Sequence, residues 1–323
     1  LTVTAGDRGG TGELVGVSGL AAPADNVRVS PLSVPLQLPA RRYGRRFRLQ
    51  WLSPASVRAF EKCPEAFRRQ YLLGEKVPPN LSMTLGSVVG DTLAHYFAGQ
   101  IAGQAPSAAE LDDLVLELFA AKIGETVLGI EDDPDRSKAQ CRGAVADYLV
   151  EIAPFVEPVS VERRASFRFN AEQEWRFVCY FDLECARLLA DLKFGRSEIK
   201  EERADRDLQA TAQTFMRWAE RNPAEFVFHA ATLEPPDEGP RWRVVPAPRS
   251  VAQLLAFQRR VARVARLIAH LDQTEPAEWP LSTDLGWWCA PRIGGEGCPY
   301  WDHCPVGATS VARPLTKGHL FGR

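Results

Sequence analysis

No stretch of this chain stays apolar long enough to cross a membrane, and its N-terminus lacks the charged-then-apolar pattern of a secretory leader. Both absences point to a cytoplasmic chain. A basic excess is missing as well: 39 Lys and Arg stand against 41 Asp and Glu, a net charge of −2. That argues against a globally basic nucleic-acid binder, so any DNA contact must come from local patches, offset elsewhere by acidic groups. Internal repeats are lacking, which excludes solenoids and propellers. Residues 1 to about 40 show no sustained hydrophobic period and are rich in Gly, Ala, Thr, Val and Pro. They read as a disordered or loosely attached arm. The chain opens on Leu1 in place of Met, as expected of a processed, truncated or unusually initiated protein.

What is present is an ordinary globular composition. The 323 residues, 45% hydrophobic and 25% charged, suffice for one large domain or two modest ones. Seven cysteines in a reducing compartment point to metal or catalytic use before disulfides. After the arm comes Arg41-Arg42-Tyr43-Gly44-Arg45-Arg46-Phe47-Arg48. Five arginines interleaved with two aromatics suit phosphate contact and base stacking, or equally a solubilising linker.

The stretch from Tyr180 to Lys193 carries the chemistry. It reads as two short apolar strands, with Asp182 on the first and Asp191 and Lys193 on the second. Strand side chains alternate faces, so Asp191 and Lys193 point the same way. Pairing around Ala186-Arg187 sets Asp182 across from Asp191. Two carboxylates and an ammonium then meet on an otherwise apolar sheet. Hard oxygen ligands of this kind bind Mg²⁺ or Mn²⁺, and a lysine beside them can orient a water or stabilise phosphorane-like charge. Taken alone, the triplet also fits the solvated edge of a hairpin. The connection Glu184-Cys185-Ala186-Arg187 lacks the Gly, Asn, Asp or Pro that tight turns favour.

Along the chain, Ser53 fits an N-cap and Pro54 a first helical position, with a helix to about Lys62. It breaks at Cys63-Pro64, restarts through Glu65 to Leu72 and ends at Gly74. Further helices are expected over 85–97, 107–123 and 134–153. Strands follow at 159–169, 175–184 and 188–194, then a helix at 205–221, strands at 225–232 and 241–246, and a helix at 248–271. Helices, a β core, then helices again make a single α/β domain with a helical N-terminal portion. The Gly- and Pro-rich tail holds Cys289, Cys298 and Cys304, a pattern typical of a metal or cluster loop. Cys63, at a helix break and followed by Pro like Cys298 and Cys304, is the best fourth ligand; His303 would complete a zinc site instead. Cys141, Cys179 and Cys185 read as core residues.

From about residue 51 to 306 these pieces resemble the RecB-type exonucleases of the PD-(D/E)XK superfamily. The resemblance is nearest to their iron–sulfur branch, which includes the AddB nuclease domain and CRISPR-associated RecB-like exonucleases. It rests on Leu52-Ser53-Pro54-Ala55-Ser56 through Cys63-Pro64, on Gly86-Ser87-Val88-Val89, and on Glu162, Asp182 and Asp191-Leu192-Lys193. Leu208-Gln209 and the trio Cys289, Cys298 and Cys304 extend it. It implies a restriction-endonuclease-like core with a mixed sheet flanked by helices and a C-terminal cysteine loop. The implied domains are an arm over 1–48, the nuclease domain over 49–310 and a tail over 311–323. It further implies a metal-dependent DNA exonuclease acting on ends or single strands in repair, recombination or CRISPR and phage DNA processing. A helicase or another recombination or CRISPR protein would be its partner. Asp182, Asp191 and the Leu192 carbonyl would hold Mg²⁺ or Mn²⁺, Lys193 would place the nucleophile, and Glu162 and Gln209 would assist. Cys63, Cys289, Cys298 and Cys304 would hold a [4Fe–4S] cluster. Arg58, Lys62, Arg68 and Arg69 near that cluster would bind phosphates. Two positions depart from the pattern: Gly90 stands where a histidine ligand is usual, and Gln213 where a tyrosine is usual. His95 lies five residues on, more than a helical turn, and reads as a helix-surface or core histidine before a substitute ligand; Asp91 could help if the helix register shifts. The alternative is a DNA-binding or scaffold subunit that has lost catalysis.

Overall fold

The Ser53-Pro54 start works as its chemistry predicts. Ser53 and Ser56 cap each other reciprocally, and helix α1 runs Pro54–Lys62. In this computed structural model the described residues are 51–168, 176–236, 240–274, 278–282, 289 and 297–304. The arm over 1–48, with its arginine run, and the tail over 311–323 lie outside them. Cys63 turns out of α1 in extended conformation, and Pro64 opens α2 (Pro64–Phe67), which widens into a π-helical turn over Arg68–Leu72. Gly74 closes this segment at φ 72°, a left-handed conformation that glycine adopts without steric cost.

Three long helices follow: α3 (Leu81–Ile101), α4 (Ala108–Ile123) and α5 (Pro134–Glu151). Asn80, Ser107 and Asp133 cap their N-termini. The expected 85–97 segment is longer than the sequence suggested, because Asn80 caps the chain a turn earlier. The β core then comprises β2 (Pro158–Arg168), β3 (Arg176–Cys185) and β4 (Leu188–Gly195). After α6 (Glu201–Asp205) and α7 (Leu208–Ala219) come β5 (Glu225–Thr232), β6 (Arg243–Pro246) and α8 (Val251–Leu271). The single helix expected over 205–221 is thus two, with Asp207 in extended conformation capping the second.

Among the described residues six strands form one mixed sheet. β1 (Trp51–Leu52) runs parallel to the start of β3, β4 pairs antiparallel with its end, and β2 flanks its other side. β5 joins β4 in parallel, and β6 closes the order antiparallel to β5. Each sheet face has its own core. One gathers Phe177, Phe181 and Phe228 with Phe215 of α7 and Phe257 of α8. The other gathers Leu183, Ala190 and Val227 with Val89 of α3, Val115 of α4 and Tyr148 of α5. Helices on both faces of a mixed sheet make an α/β architecture of the restriction-endonuclease-like kind.

This topology leaves a gap. On the side of β3 facing β1 and β4, pairing covers Arg176-Phe177 and Leu183-Glu184. Residues 178–182 fall between, and the unfilled ladder there must find other partners. Those partners are the candidate site.

Candidate active site

Three side chains and one amide fill the gap. Asp182 Oδ2 accepts a 3.0 Å hydrogen bond from the Leu192 N–H, a donor that a continuous ladder would have given to β3. From α7, Gln213 Nε2 donates to the Tyr180 carbonyl at 2.9 Å. One turn earlier, Gln209 Nε2 donates to Asp191 Oδ1 at 2.6 Å. Gln209 and Gln213 are four apart, so one face of α7 serves both. The register Leu183↔Ala190 and Glu184↔Leu189, extended by one step, sets Asp182 opposite Asp191, as the two-strand reading expects.

The sheet is distorted at this point. Phe177, Cys179 and Phe181 enter one core, whereas Leu183 and Cys185 enter the other, so the alternation of β3 changes face at Asp182. β2 does the same at Glu162, with Ala165 packed on one side and Val161 on the other. Glu162 sits at φ 48°, a left-handed conformation costly for a residue with a side chain. The paired strands turn together, and Glu162 comes within electrostatic reach of Asp182 and Asp191.

The electrostatics follow from burial. Asp191 is 0% exposed, and its carboxyl is held well above the usual range, first by desolvation and then by Asp182. Lys193 forms an ion pair with Asp191 Oδ2. Burial works to lower the Lys193 ammonium, but Asp191 and Asp182 outweigh it and raise its pKa. Asp182 is raised by burial, while Lys193 and the Leu192 N–H pull it back. Glu162 is raised by burial, then by Asp91 of α3 and by Asp191. Asp91, which by its sequence position could stand in for the missing ligand if the helix register shifts, is thus part of this field. It lies beside Gly90, held by Lys122 Nζ at 2.6 Å, and that lysine also reaches Ser87 Oγ at 2.6 Å.

Gly90 itself faces open space, since a Cβ built there meets nothing within 4 Å. One turn earlier, a Cβ at Gly86 would come to 3.4 Å from the Phe194 carbonyl on β4. The Gly86–Gly90 face of α3 therefore looks toward the sheet. His95 has its electrostatic effect on Glu110 of α4 and lies apart from the gap, in keeping with its sequence reading.

Among the described residues no group of three His, Cys, Asp or Glu side chains stands ready to chelate a metal. The oxygen set of the gap still suits a hard divalent cation: two carboxylates, one of them fully buried beside the other. A single ammonium leaves that pair short of positive charge, and a dication would supply it.

The cysteines fall into two sets. Burial holds the Cys141 and Cys179 thiols up at about 12, as befits inert core residues. Cys298 belongs to the other set: its thiol is raised by burial and further by Cys63 and Cys304, against the opposing pull of the Tyr300 N–H. Cys289 is raised likewise by burial and by Cys298, Cys304 and Cys63. The tail reaches the first helices through Arg69 Nη2, which donates to the His303 carbonyl at 3.1 Å, and Tyr300 Oη, which donates to the Glu75 carbonyl at 3.3 Å. Of the basic residues nearby that read as phosphate contacts, three are engaged by carboxylates. Arg68 is buried and bidentate on Glu65, Arg69 bridges Glu65 and Glu75, and Arg58 pairs with Asp207. Sequence proximity placed them correctly and missed the carboxylates that occupy them.

Compared with curated proteins, the chain matches none. The family model of the PD-(D/E)XK nuclease superfamily matches residues 51–305. The chain belongs to that superfamily.

Proposed function

We propose that this member of a nuclease superfamily is a metal-dependent deoxyribonuclease that hydrolyses phosphodiesters at DNA ends or in single strands. The observation that carries the reading is the fully buried Asp191 beside Asp182, with Lys193 on the same strand, in the gap between β3 and β4. A protein core does not bury two carboxylates together without a use for the negative charge. Asp182, Asp191 and the Leu192 carbonyl would hold Mg²⁺ or Mn²⁺. When bound, such a cation lowers the pKa of a water ligand and offsets charge on the scissile phosphate.

The chain's own groups have separable tasks. Gln209 fixes the orientation of Asp191 through its 2.6 Å hydrogen bond. Lys193 is held in place by Asp191 and presents an ammonium to the nucleophile. Glu162, within electrostatic reach of Asp182 and Asp191, is placed to act on the outer hydration of the cation or on the DNA backbone. Cys63, Cys289, Cys298 and Cys304 would hold a [4Fe–4S] cluster, a reading supported by the order of these cysteines along the chain and by the influence of Cys63 and Cys304 on Cys289 and Cys298. A repair, recombination or CRISPR setting, and a helicase-type partner, rest on the RecB-like motif order alone.

One observation favours a second reading. The empty space at Gly90 withholds a ligand from the site, which suits a DNA-binding subunit without catalysis. Calorimetric titration with Mn²⁺ tests the cation site. The wild type should take up one equivalent, and Asp182→Asn and Asp191→Asn should lose it while remaining folded. Undiminished uptake by both variants would show that the gap does not hold the cation. No uptake by the wild type would favour the binding-subunit reading.

A further inference from the structure

The row of side chains leading up to the gap has no role in the site so far. On β3, Arg176, Val178 and Tyr180 precede Asp182 at every second position, on one face. Across the antiparallel ladder, Arg168 pairs with Arg176, Ser166 with Val178 and Arg164 with Tyr180. In the parallel pairing on the other side, Trp51 lies against Arg176. Directly opposed residues share a face, so Trp51, Arg164, Arg168, Arg176 and Tyr180 form one surface. It ends at Glu162 and Asp182.

Two properties of this surface call for a partner. Trp51 is 52% exposed and Tyr180 is 51% exposed, large aromatics on a sheet whose other aromatics are mostly buried. Arg164, Arg168 and Arg176 form no ion pair among the described residues, in a molecule where Arg58, Arg68, Arg69, Arg163 and Arg217 all do. Arg164 lies over the Trp51 ring, its guanidinium carbon 5.7 Å from the centroid, so cation and ring are already arranged together. No carboxylate belongs to the surface until Glu162. Strand spacing puts about 20 Å between Glu162 and Arg168, a length that accommodates several nucleotides.

We propose that this face of β1, β2 and β3 binds a single strand of DNA and leads it to the gap. Exposed rings stack on unpaired bases, which a duplex keeps within its own stack, and the arginines meet the backbone phosphates. This inference rests on the nuclease reading for its substrate, and it narrows that reading from ends or single strands to a single strand.

The test measures binding of a fluorescein-labelled single-stranded oligonucleotide, and of the same sequence as a duplex, without added divalent metal. Four proteins are compared: wild type, Trp51→Ala/Tyr180→Ala, Trp51→Phe/Tyr180→Phe and Arg164→Ala/Arg168→Ala. Each is first checked for an unchanged melting temperature. The wild type should prefer the single strand. The aromatic pair should weaken single-strand binding about tenfold or more, with the salt dependence unchanged. Trp51→Phe/Tyr180→Phe should restore most of the affinity, because the rings remain. The arginine pair should weaken binding and lower the slope of log affinity against log salt by about 1.4, or about 0.7 for each phosphate that an arginine no longer neutralises.

A wild type that prefers the duplex, or variants that bind as the wild type does, would overturn the inference. In that event Mn²⁺-dependent cleavage lost in Asp191→Asn would leave the nuclease reading standing. Binding that follows the predicted pattern without any cleavage would do the reverse, keeping the platform and removing the nuclease. A wild type that binds neither form of DNA would overturn both.

Discussion

Gly90 is the residue that most directly separates the two proposed readings. A Cβ built there meets nothing within 4 Å, so a larger side chain fits without displacing a neighbour. With one ligand fewer, the cation would rely on more water, and Mn²⁺ tolerates irregular coordination and binds nitrogen and oxygen sites more tightly than Mg²⁺. Cleavage should therefore be weak with Mg²⁺ and clearer with Mn²⁺, and Gly90→His should raise both. Glycine in a helix interior costs about 1 kcal/mol relative to alanine and histidine costs less, so the substitution also favours the helix and the melting temperature must be recorded beside the rate. A folded Gly90→His variant no faster than the wild type with either metal would show that the space serves something else. Asp182, Asp191 and Lys193 were legible because a period of two on apolar strands fixes which charges share a face. The hydrogen bonds of Gln213 were not legible. They exist because β3 has unpaired backbone beside α7, and the gap arises from the placement of β1 and β4, which no local pattern encodes.

At the level of elements, the sheet was readable strand by strand and its distortion was not. Alternation identified β2 and β3, yet both change face at Glu162 and Asp182, where a polar residue on each strand hides the change. Helices were recognisable by apolar spacing and, at Ser53, by a cap; Ser107 and Ser250 form capping boxes of the same kind. A further tie between elements is the 2.8 Å hydrogen bond of Tyr148 on α5 with His229 Nδ1 on β5. Burial keeps the Tyr148 phenol protonated, so it donates, and lowers His229 from the ordinary 6.5 to about 4. The unfolded chain takes up this proton near pH 6.5 and the folded chain resists it, so stability is full above 6.5 and falls as pH drops toward 4. The shift corresponds to about 3 kcal/mol, of which about 2 is lost by about pH 5. Urea unfolding at about pH 7 and about pH 5 should show that loss, and His229→Gln should reduce it by a similar amount. An equal pH response in both proteins would mean that other groups govern acid stability.

Across the whole molecule, the tail returns to the first helices, and the Cys298 thiol feels the field of Cys63 from the first of them. A cluster there would clasp the two ends of the domain, and protein purified without oxygen should be brown and contain iron and sulfide. Cys63→Ala should lose the colour and also lower the melting temperature of the whole domain. Colourless wild-type protein with one equivalent of zinc would assign the cysteines to zinc, and a variant that loses iron at an unchanged melting temperature would make the cluster peripheral. The central claim is that the β3–β4 gap hydrolyses DNA, and a time course of end-labelled single-stranded DNA with Mn²⁺ tests it most directly. Wild type and Asp191→Asn should be purified identically, and the substitution keeps the shape of the buried side chain. The account predicts shortening of the labelled strand by the wild type, abolished by EDTA and absent in Asp191→Asn; equal degradation by both proteins, or none by a folded wild type, would contradict it.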